Sequence, residues 1–248
     1  MATHSFHNLR VYRKRRHVLI IFLVIILPIV FIAVIGRVSQ VSSYNLFLGL
    51  SVSLYRLVTA YVISLVTAIV LAVVLGHGKI GDFFVPVFDL LQNLPSFALI
   101  PVFVLLFGFN NTMAIVFAAS SILWPILFYI LNALRSAKTD FNEAAIIFGA
   151  TGWKRVVYYF IPLSYSAIIT GSIVGISIGW EAIIGVEIIG RFHSGIGIFL
   201  SNASLPAQTG YQSNETLFLG IAALLLVVFS INRLIWVPLL RKAQLYGE

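Results

Sequence analysis

Six apolar stretches, each long enough to cross a bilayer, dominate this sequence: roughly Val18 to Ile35, Leu46 to Leu75, Phe83 to Phe107, Met113 to Leu134, Ser164 to Val186 and Thr216 to Leu240. A hydrocarbon core needs roughly 20 helical residues to span it, and each stretch meets that length closely enough. The chain has 248 residues, of which 60% are hydrophobic and only 10% are Asp, Glu, Lys or Arg. That composition excludes a water-soluble globular domain and leaves no room for a large one beside the spans. The expected fold class is an all-α polytopic membrane protein with about six transmembrane helices.

The formal charge of +8 suggests nucleic acid at first sight. Its distribution argues instead for membrane orientation and against nucleic acid as a partner. With six spans, the block Arg13-Lys14-Arg15-Arg16, Lys79, Arg135, Lys138, Lys154, Arg155, Arg241 and Lys242 all fall on one side. Arg37 and Arg191 fall on the other, and Arg56 and Arg233 lie within spans. Basic loops stay cytoplasmic, so both termini are expected inside the cytoplasmic membrane. The expected organisation is a cytoplasmic tail (1–17), one transmembrane domain (18–241) carrying a cytoplasmic loop (135–163), and a second tail (242–248). The first span is followed by no small-x-small cleavage site and reads as a retained anchor. The chain contains no cysteine, which removes disulfides, thiolate chemistry and cysteine metal sites.

Polar residues gather between Thr139 and Leu163. Asp140 can cap a short helix, with Glu143 three residues on completing a capping-box pattern. That helix would carry Ala144, Ala145, Ile146 and Phe148 and stop at Gly149. Thr151 can cap a second helix carrying Trp153, Val156, Val157, Tyr159 and Phe160, which Pro162 is expected to interrupt. Two short helices at a tight bend form a knob that another protein can grip; an amphipathic loop lying on the bilayer is the alternative. Glu143-Ala144-Ala145, Gly149 and Ile161-Pro162-Leu163 together resemble the EAA loop of ABC importer permeases. In that family the loop is a coupling helix that docks into a groove on an ATPase subunit. The resemblance therefore implies ATPase-coupling roles for Asp140, Glu143, Ala144, Ala145, Gly149, Thr151 and Pro162, and the transmembrane-domain fold of a type I importer.

Within the spans, prolines and charges stand out. Asn93-Leu94-Pro95, Ile100-Pro101 and Trp124-Pro125 each free a backbone carbonyl, which lipid tolerates only where protein or water supplies a partner. Kinks that aid packing and broken helices that line a route both remain open, and Asn93, Pro95 and Pro101 are candidates for the second. Gly171, Gly175 and Gly179 recur every fourth residue, a stripe that lets helices approach closely, either within the chain or with a second copy. A charge at the membrane centre costs about 2.5–3.5 kcal/mol on insertion scales, so Arg56, Glu181 and Glu187 need an explanation. Arg56 can pair with one of the carboxylates as structure, or face a pathway and attract an anion.

Ser53-Leu54-Tyr55-Arg56, Leu94-Pro95, Leu99-Ile100-Pro101, Phe107-Gly108, Trp180, Glu187 and Gly195-Ile196-Gly197 narrow the resemblance to the nitrate, sulfonate, taurine and bicarbonate group of these permeases. It implies the membrane subunit of an ATP-driven importer for a small anion, with a vitamin precursor or other small solute as the alternative. Two ATPase subunits holding ATP and Mg, a second permease copy and an extracytoplasmic substrate-binding protein or lipoprotein are the implied partners. The outer segment Ser201 to Ser213 looks longer than the group's pattern. No catalytic or metal-ligating set is expected: His4, His7, His17, His77 and His193 are scattered, and no phosphate-binding loop ends in Lys-Ser or Lys-Thr. An intramembrane enzyme would have only Glu181 and His193 to work with, and a passive channel would not need the cytoplasmic knob.

Overall fold

The computed structural model describes residues 43–76, 79–93, 95–136, 149–190, 192–204 and 213–245, together with 26, 30, 31, 34, 145 and 147. Residues 242–245 of the second tail continue a helix, but the first tail, the last three residues of the second (246–248) and nearly all of the first expected span lie outside the described residues. So do Asp140, Glu143 and Ala144. Among the described residues every regular element is helical. In chain order these are α1 (Ser43–Leu75), α2 (Lys79–Gln92), a 3₁₀ turn (Ser96–Leu99), α3 (Ile100–Phe107) and α4 (Asn111–Ser136). There follow α5 (Ile161–Ile189), α6 (Ile196–Ser204), α7 (Ser213–Ile231) and α8 (Val237–Leu245).

Four helical stretches are long and apolar enough to cross a membrane: Tyr44–Leu75, Asn111–Ser136, Trp153–Ile189 and Glu215–Ala243. The expected third span is not continuous. It divides at Asn93–Pro95, where Pro95 takes a non-helical ψ of 111°, and resumes as the 3₁₀ turn and α3. The resumed piece, Ser96–Phe107, is too short to cross alone. The chemistry of each proline explains the pattern. Pro95 breaks the helix. Pro101 sits in the first turn of α3, where its missing N–H would have had no partner. Pro86 and Pro125 lie inside α2 and α4 without ending them.

The chain forms two compact units, Gly49–Ile198 with Leu239–Glu248, and Met1–Leu48 with Phe199–Pro238. In the first unit α1, α4 and α5 pack together, and α4 is the inner helix, burying Met113, Phe117, Ile122, Ile126 and Ile130. The pattern on α1 is that of a membrane helix. It buries small residues (Ser53, Ala60, Ser64, Ala68, Ala72) and exposes large ones (Val58, Val62, Val66, Val70, Val74). Lipid is as apolar as a valine, so close backbone approach and hydrogen bonds drive such packing. Ser64 accordingly donates to the Ala119 carbonyl of α4 at 2.7 Å, and Tyr61 to Ser172 Oγ of α5 at 3.0 Å.

The glycine stripe of α5 faces α4 of the same chain. A methyl group on Gly171 would lie 2.9 Å from Ile126 Cα and 3.2 Å from the Pro125 carbonyl oxygen. On Gly179 it would lie 2.7 Å from side-chain carbons of both Ile122 and Leu57. Phe97, delivered by the 3₁₀ turn, lies against Gly185 and the Phe117 ring. In the second unit, Gly220 of α7 lets Phe199 and Leu200 of α6 approach it closely.

Candidate functional site

The polar centre of the first unit lies at the Glu187 end of α5. The sequence reading put Glu187 just past its span, but α5 runs on to Ile189 and Glu187 is inside the helix, 1% exposed. Arg56 of α1, 2% exposed, reaches it with Nη1 at 2.5 Å from Oε1. The guanidinium makes three further hydrogen bonds. Nε and Nη2 donate to Asn111 Oδ1 at 3.0 and 2.6 Å, Nη1 donates to the Ser194 carbonyl at 2.9 Å, and the Phe192 ring covers Cζ at 5.0 Å.

The carboxylate is equally satisfied. Ser53 Oγ donates to it at 2.7 and 2.9 Å, and the Gly197 amide donates to Oε2 at 2.8 Å. Ser53 Oγ in turn accepts from the Ile196 amide at 2.9 Å. Ile196 and Gly197 open α6, where amides have no partner within the helix and the dipole favours a negative charge. Glu187 therefore fastens the opening residues of α6, Ile196 and Gly197, to α1 and α5. The glycines make the approach possible. A methyl group on Gly195 would fall on the Glu187 carboxylate, and one on Gly197 would lie 2.6 Å from the Ile184 carbonyl oxygen.

In this geometry Arg56 is the ion-pair partner of Glu187, which neutralises its charge. Asn111 and Ser194 were not singled out from the sequence. Asn111 begins α4, and its neighbour Asn110 caps that helix by accepting from the Met113 amide at 2.9 Å. A buried arginine with more donors than one carboxylate can accept was the available signal for a second acceptor. Glu181 is not part of the centre. It is exposed on the face of α5 away from α4. Asn93, Pro95 and Pro101 are exposed at and after the break in the third span.

At the other end of α5 lies the described part of the expected knob. Gly149 has φ +77°, and the Ala150 amide donates to the Ala145 carbonyl at 2.9 Å. A left-handed residue followed by that six-residue-spanning bond is a Schellman stop. Nothing lies within 4 Å of the position a methyl group on Gly149 would take, so φ alone demands glycine there. Thr151 does not cap the next helix with its side chain. The cap position is Gly152, at φ +53°, with no side-chain bond, and Thr151 contributes its carbonyl to the Lys154 amide at 3.1 Å.

Pro162 does not interrupt that helix either. A short α-turn (Trp153–Arg155) passes through a π turn (Val156–Phe160) directly into α5. Proline has no N–H, and its ring strikes the carbonyl four residues back. The π turn before it, closed by the Ile161 amide on the Val156 carbonyl, adds one residue to the turn ahead of the proline. The second unit repeats the device, with a π turn (Asn232–Trp236) two residues before Pro238. Around the knob Ile147, Trp153 and Tyr158 are 81%, 76% and 74% exposed.

Among the described residues, no group of three His, Cys, Asp or Glu side chains could hold a metal ion. Helices of membrane-crossing length, fastened by a buried ion pair, define a polytopic helical membrane protein. The chain belongs to the family described as the binding-protein-dependent transport system inner membrane component, whose profile matches residues 64–237. It is thus a transport permease subunit.

Its relatives include a nitrate import permease protein of Synechococcus elongatus, 27% identical over 198 residues, covering 79% of this chain and 70% of the relative. A bicarbonate transport system permease protein of the same species is 26% identical over 178 residues, covering 70% of this chain and 63% of the relative. A taurine transport system permease protein of Escherichia coli is 23% identical over 181 residues, covering 73% and 64%.

Proposed function

We propose that this chain is the membrane-spanning subunit of an ATP-driven ABC importer for a small anionic solute, of the nitrate, sulfonate, bicarbonate or taurine type its relatives carry. Residues 18–241 form the permease domain between two cytoplasmic tails. Both termini and the loop 135–163 face the cytoplasm of a prokaryotic cell. A second copy completes the pathway, two ATPase subunits holding ATP and Mg bind below, and a substrate-binding protein delivers the solute from outside. ATP-driven closure draws the coupling loops together and rocks the spans between inward-open and outward-open states.

The observation that carries this reading is the Gly149 stop beside exposed Ile147 and Trp153. A turn held rigid by its own backbone, with large apolar side chains in water, fits a preformed groove on a partner. Asp140, Glu143, Ala144, Ala145, Thr151 and Pro162 complete the same loop in this reading.

The test replaces Gly149 with Asp. The left-handed backbone then carries a side chain at a cost of about 1–2 kcal/mol, and the knob changes shape while the bundle does not. The variant is expected to insert normally and to lose co-elution with its ATPase and solute-stimulated ATP hydrolysis. Wild-type values on both would show that this loop is not the coupling surface. Reporters fused after Lys138 and Ser204 are expected to read inside and outside respectively; an outside reading at Lys138 removes the loop from the ATPase side altogether.

A further inference from the structure

The two faces of α5 differ in chemistry. Gly171, Gly175 and Gly179 press against α4, as described above. Roughly opposite lie Ser166, Thr170, Ser177 and Glu181, which at 3.6 residues per turn share a strip of about 60°. Ser166, Ser177 and Glu181 are exposed and Thr170 is half-buried. Thr170 and Ser177 donate back to the carbonyls of Ser166 and Ile173, each at 3.0 Å, so each hydroxyl is satisfied and presents its oxygen outward. Glu181 has neither an ion pair nor a hydrogen bond among the described residues. Lipid accepts a hydroxyl that bonds its own backbone, but not a lone carboxylate. Nothing in the cluster around Glu187 reaches this strip.

We infer that this strip of α5 lines a water-filled route through the membrane, and that Glu181 makes the route favour solutes carrying a positively charged group over bare anions. The inference rests on the importer reading and, among the solute types named there, narrows the substrate to a zwitterion such as taurine. The charges of the helices support that direction. Arg56 of α1 is neutralised by Glu187, which leaves Glu181 as the uncompensated charge of α5. Arg233 belongs to the other unit, eight residues before Arg241 at the basic end of the chain.

The absence of cysteine makes the test clean. Ser166→Cys, Val174→Cys and Ser177→Cys are made singly in the complete importer, with its ATPase and binding protein, in lipid vesicles. Each is treated with two membrane-impermeant thiosulfonates, one bearing trimethylammonium and one bearing sulfonate, with rates normalised to a free thiol. Val62→Cys, on the exposed valine face of α1, is the lipid control. Glu181 is one helical turn from Ser177, about 6 Å, so it should separate the two reagents' rates there by on the order of ten-fold.

The expected result is reaction at all three α5 positions and not at Val62→Cys, with the cationic reagent faster at Ser177→Cys. Adding Glu181→Gln should bring the two rates together. Unreactive α5 cysteines would place the strip against lipid or a second copy and overturn the proposal. Equal rates, or a faster anionic reagent, would overturn its selectivity. The same vesicles report ATP hydrolysis stimulated by the binding protein. Its loss in the cysteine-free parent would count against the importer reading, whatever the cysteines show.

Discussion

The two ends of α5 are built on opposite principles. At the Glu187 end Ser53 and Arg56 of α1, Asn111 of α4, Glu187 of α5 and the Gly197 amide of α6 are joined in one hydrogen-bonded cluster. Glycines at 195 and 197 bring backbone onto the carboxylate. At the Trp153 end the same helix is entered through a π turn from a bend of two left-handed glycines, with Trp153 and Tyr158 exposed. Glycine serves both ends for different physical reasons. Gly195 is required by what lies beside it, whereas Gly149 is required by its own φ with open space around it.

The largest effect should come from unpairing the rigid end. Removing one partner of a buried ion pair typically costs about 3–5 kcal/mol, because the other charge is stranded. Glu187→Ala and Arg56→Gln are therefore expected to lose most folded protein, measured as monodisperse protein in detergent and its melting temperature. Replacing both residues by Met should recover part of that loss, since neither charge is then left alone. Full folding of either single variant would mean that the pair is not what fastens α6, and the contrast between the ends would fail.

A second comparison sets one glycine against the other. Gly195→Ala puts a methyl group onto the Glu187 carboxylate and is expected to cost about 1–3 kcal/mol as overpacking. Gly149→Ala meets no neighbour and bears only the left-handed penalty of about 1–2 kcal/mol, confined to the turn. Thermal melting of the purified permease should therefore fall with Gly195→Ala and stay near wild type with Gly149→Ala. ATPase co-elution should show the reverse order. Equal melting losses would mean that the Gly149 turn is part of the packed bundle.

Much of this contrast was readable in the residues, and the parts that were not have physical causes. Span positions follow from long apolar runs, and Gly149 follows from the rule that a helix ending on glycine turns left-handed. Arg56 announced the need for a carboxylate but not which one, because two lay within a few residues and only the fold shows which faces α1. Glu187 read as the end of a span because a charge interrupts hydropathy; a helix continues wherever its backbone bonds continue. The third span read as one piece because Asn93-Leu94-Pro95 allowed a packing kink as well as a break, and composition carries no record of ψ at Pro95. Partners distant in sequence, such as Asn111 and Ser194, leave no mark in periodicity.

Pro162 is the most informative misreading and gives the smallest expected effect. Proline rules for α-helices place a stop at Pro162, yet the helix continues because the π turn before it supplies one extra residue. Pro238, preceded by the same turn at the same offset, shows that the arrangement belongs to the proline and not to the knob. If the ring holds the π turn open, Pro162→Ala permits a return to the α register. Everything before the turn, Trp153 included, would then rotate by about 100° relative to α5, one residue's worth of helix. The stability change should be small, about 1 kcal/mol or less, because one backbone bond is regained as the proline's rigidity in the unfolded chain is lost. The consequence should appear in direction instead. Amide exchange across Val156–Phe160 should slow, the ATPase should still co-elute, and solute-stimulated hydrolysis should fall because the knob presents a different face. Pro238→Ala should slow exchange across Asn232–Trp236 without that functional loss. If Pro162→Ala leaves both exchange and stimulation unchanged, the π turn is set by packing around Phe160, and the Trp153 end is less adjustable than its open surroundings suggest.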